Sequence, residues 1–164
     1  MEHHGAFSKR CSKSIMNIQV VAIGDSMPQW VTEGTATYVK RLPKNFQLEF
    51  LSISAKKRPK NAPIEKILNE EGLALLKKVP KGHKIIALDR PGKTLSTVSL
   101  AAKLGRFHDD SQHISILIGG PEGLSKACLD AAEETWSLSA LTLPHPLVRV
   151  LIAEQCYRAW SLLS

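Results

Sequence analysis

The chain has 164 residues, enough for one domain with a substantial core, and is 43% hydrophobic and 23% charged with a formal net charge of +7. No run approaches the roughly 18 consecutive apolar residues of a membrane-spanning helix, and no Cys or Cys/His pair has zinc-ligand spacing. The three cysteines, Cys11, Cys128 and Cys156, are odd in number and far apart, which predicts reduced thiols in a cytoplasmic protein rather than a disulfide scaffold.

Residues 1–15, MEHHGAFSKRCSKSI, are polar with no apolar run and read as a leader, tag remnant or flexible extension ahead of a single domain at 16–164. They hold Lys9, Arg10 and Lys13 against Glu2; the remainder keeps 19 Lys and Arg against 14 Asp and Glu, a net +5. The domain itself is therefore basic. That favours an anionic partner, nucleic acid before acidic membrane, or else is an uncommitted basic surface.

In chain order, NIQVVAIG (17–24) predicts a strand ending at a glycine. Pro28 then opens a helix over 28–42. FQLEFLSI (46–53) alternates like a half-buried strand, and SAKKRPKNAP (54–63) reads as an exposed basic loop. An amphipathic helix follows at 64–79, a strand at 83–89, a turn at 90–96 and a helix at 97–110 weakened by Gly105. The remaining segments predict a strand at 113–119, a helix at 124–134, a strand at 136–143 and a long helix at 147–163. Strict βα alternation implies an α/β fold: a mostly parallel sheet with helices on both faces. Ligands in such sheets collect beyond the carboxyl ends of the strands.

Several familiar sites are missing. The first strand ends AIGDSMP, not Gly-x-Gly-x-x-Gly, which disfavours a dinucleotide fold. Gly92-Lys93-Thr94 lacks the earlier glycine of a P-loop, since that position is Ala87. No Gly-x-Ser-x-Gly elbow occurs. Instead, three expected strand ends carry the interest: Leu88-Asp89, Gly119-Gly120 and Leu143-Pro144. On one edge they would form a crevice of bare backbone and leucine walls suited to a flat ligand such as adenine. Taken singly, each is equally a tight turn beside a core strand. His145, between Pro144 and Pro146, is either a base or substrate contact, or a residue that shapes the turn.

LDRPGK, LIGGPEG and SLSALTLPHPLVRVLIAEQCYRAW closely resemble the ribosomal large subunit methyltransferase H family, pseudouridine N-methyltransferases of the SPOUT superfamily. The likeness runs from Met16 to about Leu163. It implies a SPOUT-type α/β fold with a C-terminal trefoil knot, a homodimer, S-adenosylmethionine as methyl donor, and N3 of a pseudouridine in large-subunit (23S) ribosomal RNA as acceptor, on the assembled ribosome. Cofactor contacts then fall on Leu88, Gly119, Gly120, Leu138, Ser139, Ala140, Leu141, Thr142 and Leu143, with the glycines leaving room for the cofactor. Arg149 is the first catalytic candidate and His145 the second; for Arg149 the plainer role is an ion pair with Glu154 or Glu133. No metal and no membrane are implied. Lys56, Lys57, Arg58 and Lys60, and Lys40, Arg41 and Lys44, are expected to meet RNA phosphates. Family members usually continue into a tail of the Asn-His-Pro-Tyr-His type, whereas this sequence stops at Ser164, so family contacts on that tail have no position here to carry them, whether the tail is cut or only uncounted. The alternative is a non-catalytic RNA- or ribosome-binding protein of the same fold.

Overall fold

Five short apolar runs pair side by side. In the computed structural model, which describes residues 14–24 and 27–164, β1 (Met16–Ile23), β2 (Phe46–Ile53), β3 (Lys84–Thr94), β4 (Ile114–Ile118) and β5 (Glu134–Ser137) form one sheet. Its order is β2-β1-β4-β3-β5, and every pairing is parallel. Parallel strands need crossovers, and the intervening helices supply them: α1 (Gln29–Val39), α2 (Ile64–Lys78), α3 (Thr97–Asp109) and α4 (Lys126–Ala131), with α5 (His145–Leu163) closing the chain.

Strand periodicity sorts the core into two layers. Ile18, Val20, Ile86, Ile114 and Ile116 point to the face covered by α1, α3 and α5, where Ala101, Leu104, Ile152 and Ala159 meet them. Val21, Ile23, Ala87 and Leu117 point to the opposite face, where Leu75 of α2 and Cys128 of α4 close over them. Each such fully buried branched side chain contributes about 1.5–3 kcal/mol. Helices therefore cover both faces, and the inner strands β1 and β4 are mostly apolar, broken only by Asn17, Gln19 and Ser115, because neither face meets water.

Several boundaries differ from the sequence expectation, and the two largest differences shape the site. β3 does not end near residue 89. Leu88 and Lys93 both pair with Trp136, so the strand shoulders out residues 89–92 and then resumes. Gly92 permits this, since a Cβ there would lie 2.7 Å from the Trp136 carbonyl carbon. β5 covers 134–137 rather than 136–143; residues 138–144 form no strand. Helix starts follow local chemistry: Ser96 and Ser125 each accept a hydrogen bond from the amide three residues on. Pro146 sits in the first turn of α5, where its missing N–H costs nothing. The expected extension at 1–15, apart from Ser14 and Ile15, lies outside the described residues.

Candidate functional site

β4, β3 and β5 are neighbours in the sheet, and the irregular stretch of β3 after Leu88, with the segments leaving β4 and β5, encloses a pocket of about 270 Å³, close to the lower end for small-molecule sites. Leu88, Asp89 and Arg90 line it from β3, and Ile118 to Pro121 with Gly123 from β4. Ser137, Leu138, Ser139, Leu141, Thr142 and Leu143 line it after β5, and His145 and Val148 from the start of α5. Of the nine expected cofactor contacts, the structure brings eight together here; Ala140 is not among the lining residues. The 138–143 segment holds its shape by local bonds: Ser137 Oγ donates to the Ser139 carbonyl (3.1 Å), and the Leu141 amide donates to Ser139 Oγ (3.0 Å). Leu141 stands 72% exposed at the rim.

The glycines have a different rationale from the one expected. A Cβ on Gly119 would lie 2.1 Å from the Gly123 carbonyl oxygen and 2.8 Å from the Leu124 nitrogen, so this glycine is demanded by the turn's own main chain. A Cβ on Gly120 would crowd Arg58 and Glu71 at 3.1 and 3.3 Å. Of the three, Gly123, held left-handed at φ +83°, alone has room for a Cβ, which would meet another lining residue, Asp89 Oδ1, at an ordinary contact distance of 3.7 Å. The turn is closed by the Gly123 amide donating to the Gly120 carbonyl (2.9 Å).

His145 opens α5 at the pocket wall. Burial pushes its imidazole below the usual histidine range, the Arg149 charge one helical turn on adds to this, and the Gly120 main chain opposes it. The ring is therefore neutral near pH 7 and able to accept a proton. Arg149 itself does not line the pocket. It is 4% exposed, with Nη1 donating to Ser52 Oγ (2.9 Å) and Nη2 to the Gly24 carbonyl (2.7 Å). Its Nε has no partner among the described residues. Neither carboxylate considered for it is used: Glu154 pairs with Arg158 and Glu133 with Lys84.

A family comparison decides what kind of protein carries this pocket. The family model described as "Predicted SPOUT methyltransferase" matches residues 16–164. The chain is a member of the SPOUT methyltransferase family. Solved structures agree on the fold of this SPOUT methyltransferase. A probable methylase family protein from Haemophilus influenzae Rd KW20 superposes with TM-score 0.57 at 14% identity, over 90% of this chain and 67% of that one. A probable methyltransferase from Bordetella pertussis Tohama I gives TM-score 0.53 at 15% identity, over 88% and 96%.

Other expectations are redistributed. Lys56, Lys57 and Lys60 are exposed, but Arg58 is not free for phosphate: it is paired to Glu71 and Glu122. Arg41 stacks over Tyr38 and Tyr157, 5.6 and 5.4 Å from the ring centroids. Arg90, Ile118, Pro121, Gly123, Ser137 and Val148 line the pocket without having been expected to. Arg90, Ile118, Pro121 and Ser137 adjoin expected residues, and Val148 follows His145 by the three positions that keep a helix face. Among the described residues, no cluster of His, Cys, Asp or Glu is arranged to hold a metal, and no helix is long and apolar enough to cross a membrane.

Proposed function

We propose that this SPOUT methyltransferase uses S-adenosylmethionine to methylate N3 of a pseudouridine in large-subunit ribosomal RNA, in the cytoplasm, on the assembled ribosome. One observation carries the reading: the irregular stretch of β3 after Leu88, the ends of the adjacent parallel strands β4 and β5 and the start of α5 enclose one pocket. The residues suit an adenosyl group. Leu88, Ile118, Leu138, Leu143 and Val148 give apolar walls, Gly123 leaves a bare main-chain face, and Ser139 and Thr142 add hydroxyls.

The donor, when bound, supplies a methyl group on a sulfonium, which is already a good leaving group. The protein must orient the acceptor nitrogen and remove its imide proton. His145, neutral and at the pocket wall, takes that proton in this reading. Arg149 acts from behind: its charge adds to burial in holding the His145 imidazole below the usual range, while its bonds to Gly24 and Ser52 tie α5 to the ends of β1 and β2. The exposed Lys56, Lys57 and Lys60 are the cations placed to meet RNA phosphates. A homodimer belongs to the same reading and rests on the family resemblance. The threaded C-terminal segment implied by the family resemblance is carried with it.

Methyl transfer from labelled S-adenosylmethionine to purified ribosomes, with separated subunits and free RNA beside them, tests the proposal. The expected result is label on a pseudouridine of large-subunit RNA, strongest on ribosomes. Label on free RNA as readily as on ribosomes would overturn the docking part, and RNA binding without any donor binding would mark a non-catalytic binder.

A further inference from the structure

Behind the glycine turn lies a charged cluster that the reading above leaves idle. Arg58, between β2 and α2, commits every nitrogen of its guanidinium. Its Nε donates to both Glu122 oxygens at 3.0 Å. Its Nη2 donates to Glu122 Oε2 at 2.7 Å and to Glu71 Oε1, and its Nη1 donates to the Lys56 carbonyl at 2.8 Å. Glu71 sits on α2 and is 3% exposed; its Oε2 has no hydrogen-bond partner among the described residues. Glu122 lies between Pro121 and Gly123, both of which line the pocket.

The turn rests directly on this cluster. The absent side chain of Gly120 points at it, with Arg58 Nη2 and Glu71 Oε2 close enough that a Cβ would crowd both. A buried carboxylate is costly unless a cation pairs with it, and a planar guanidinium can hold two carboxylates in fixed relative positions where an ammonium cannot. One guanidinium thus joins α2, the 54–60 segment and the 120–123 turn at a single point. The two arms differ. The Glu71 arm is buried and couples to folding; the Glu122 arm is partly exposed, where an ion pair adds little to stability. What the Glu122 arm does fix is the placement of the main chain that forms one wall of the pocket.

We infer that Arg58, Glu71 and Glu122 are positioning residues for the donor pocket, with the Glu122–Arg58 arm setting ligand affinity through the 120–123 turn without touching the ligand. The inference rests on the pocket being the donor site. The probe is S-adenosylhomocysteine, titrated calorimetrically into wild type, Glu122→Gln and Arg58→Lys, with thermal unfolding of each. Arg58→Ala would strand Glu71 as a buried unpaired charge and is prone not to fold, so the milder variants carry the test.

Glu122→Gln is expected to weaken binding about three- to tenfold, the scale of one ordinary hydrogen bond, with Tm unchanged. In turnover the loss is expected in KM for the donor rather than in kcat. Arg58→Lys, which keeps the charge and loses the fork, is expected to weaken binding as well. Wild-type affinity in Glu122→Gln overturns the inference and leaves the donor site standing, as does a fall in affinity that only tracks a fall in Tm. No binding by wild type overturns the donor site itself, and this inference with it.

Discussion

Gly119 faces the main chain of Gly123 so closely that a Cβ on the first would lie 2.1 Å from the carbonyl oxygen of the second. Backbone cannot swing aside as a side-chain tip can. Gly119→Ala should therefore destabilise the protein by about 1–3 kcal/mol or more, the range of overpacked sites, read as a lower urea midpoint. Gly123→Ala has room for its Cβ and bears chiefly the left-handed strain, about 1–2 kcal/mol, but places a methyl in the pocket. Its larger effect should be on S-adenosylhomocysteine affinity. Equal losses of stability and of affinity in the two variants would contradict this division.

Two histidines make stability sensitive to acid. Burial holds His145 and His83 below the usual range, with Arg149 adding to the first and His113, 5.3 Å away ring to ring, to the second. Their unfolded-state value is about 6.5, so below that pH the unfolded chain binds more protons than the folded one. The stability they allow is full above about 6.5 and is lost as pH falls toward the depressed folded values. Urea midpoints should drop between pH 7.5 and 5, and His83→Gln should flatten the slope; an unchanged slope would remove His83 from the account. Turnover should fall in the same direction, since protonated His145 cannot accept a proton.

Much of this architecture was legible in the sequence because the central strands are buried on both faces, so runs such as VVAI and ILI declare themselves. The misreadings have physical causes. The apolar-rich run WSLSALTL mimics a strand, yet Leu138, Leu141 and Leu143 line a pocket, and β5 stops at Ser137. The basic run around Arg58 reads as a phosphate-binding surface because its carboxylate partners lie 13 and 64 residues away, where no local pattern reveals them. Leu88, Gly119, Gly120 and Leu143 stood out because strand ends, glycines and prolines leave a local signature, whereas Leu138, Ser139, Leu141 and Thr142 came only with the family resemblance. A buried cation such as Arg149 leaves none.

Removing the Arg149 charge tests its action through His145. Arg149→Met keeps the length of the side chain and abolishes the positive charge that helps depress the imidazole. The His145 pKa should rise, and the acid limb of the pH–rate profile should move to higher pH. Histidine NMR titration gives the same reading without turnover. A His145 titration indistinguishable from wild type would reduce Arg149 to its structural bonds with Gly24 and Ser52.

The two described cysteines should be chemically silent in the native protein. Cys128 and Cys156 are 0 and 3% exposed, and burial pushes the Cys156 thiol up to about 12. At pH 8 almost no thiolate exists there to react. Alkylation mapped by peptide mass should modify both only in denaturant. Fast native labelling of Cys156 would mean that α5 lifts from the sheet.

Gly72, in the middle of α2, sets two effects of known sign against each other. In an exposed helix Gly→Ala stabilises by about 0.5–1 kcal/mol. Here a Cβ would lie 2.1 Å from Ser125 Oγ and 2.8 Å from Ser125 Cβ. Ser125 is buried and its hydroxyl caps α4, so moving it forfeits a cap worth about 1 kcal/mol and forces the two helices apart. The packing loss exceeds the propensity gain, and Gly72→Ala should lower the urea midpoint. The pair Gly72→Ala with Ser125→Gly, which relieves the clash, should recover part of the loss. A single variant more stable than wild type would show that α2 and α4 separate freely at this crossing.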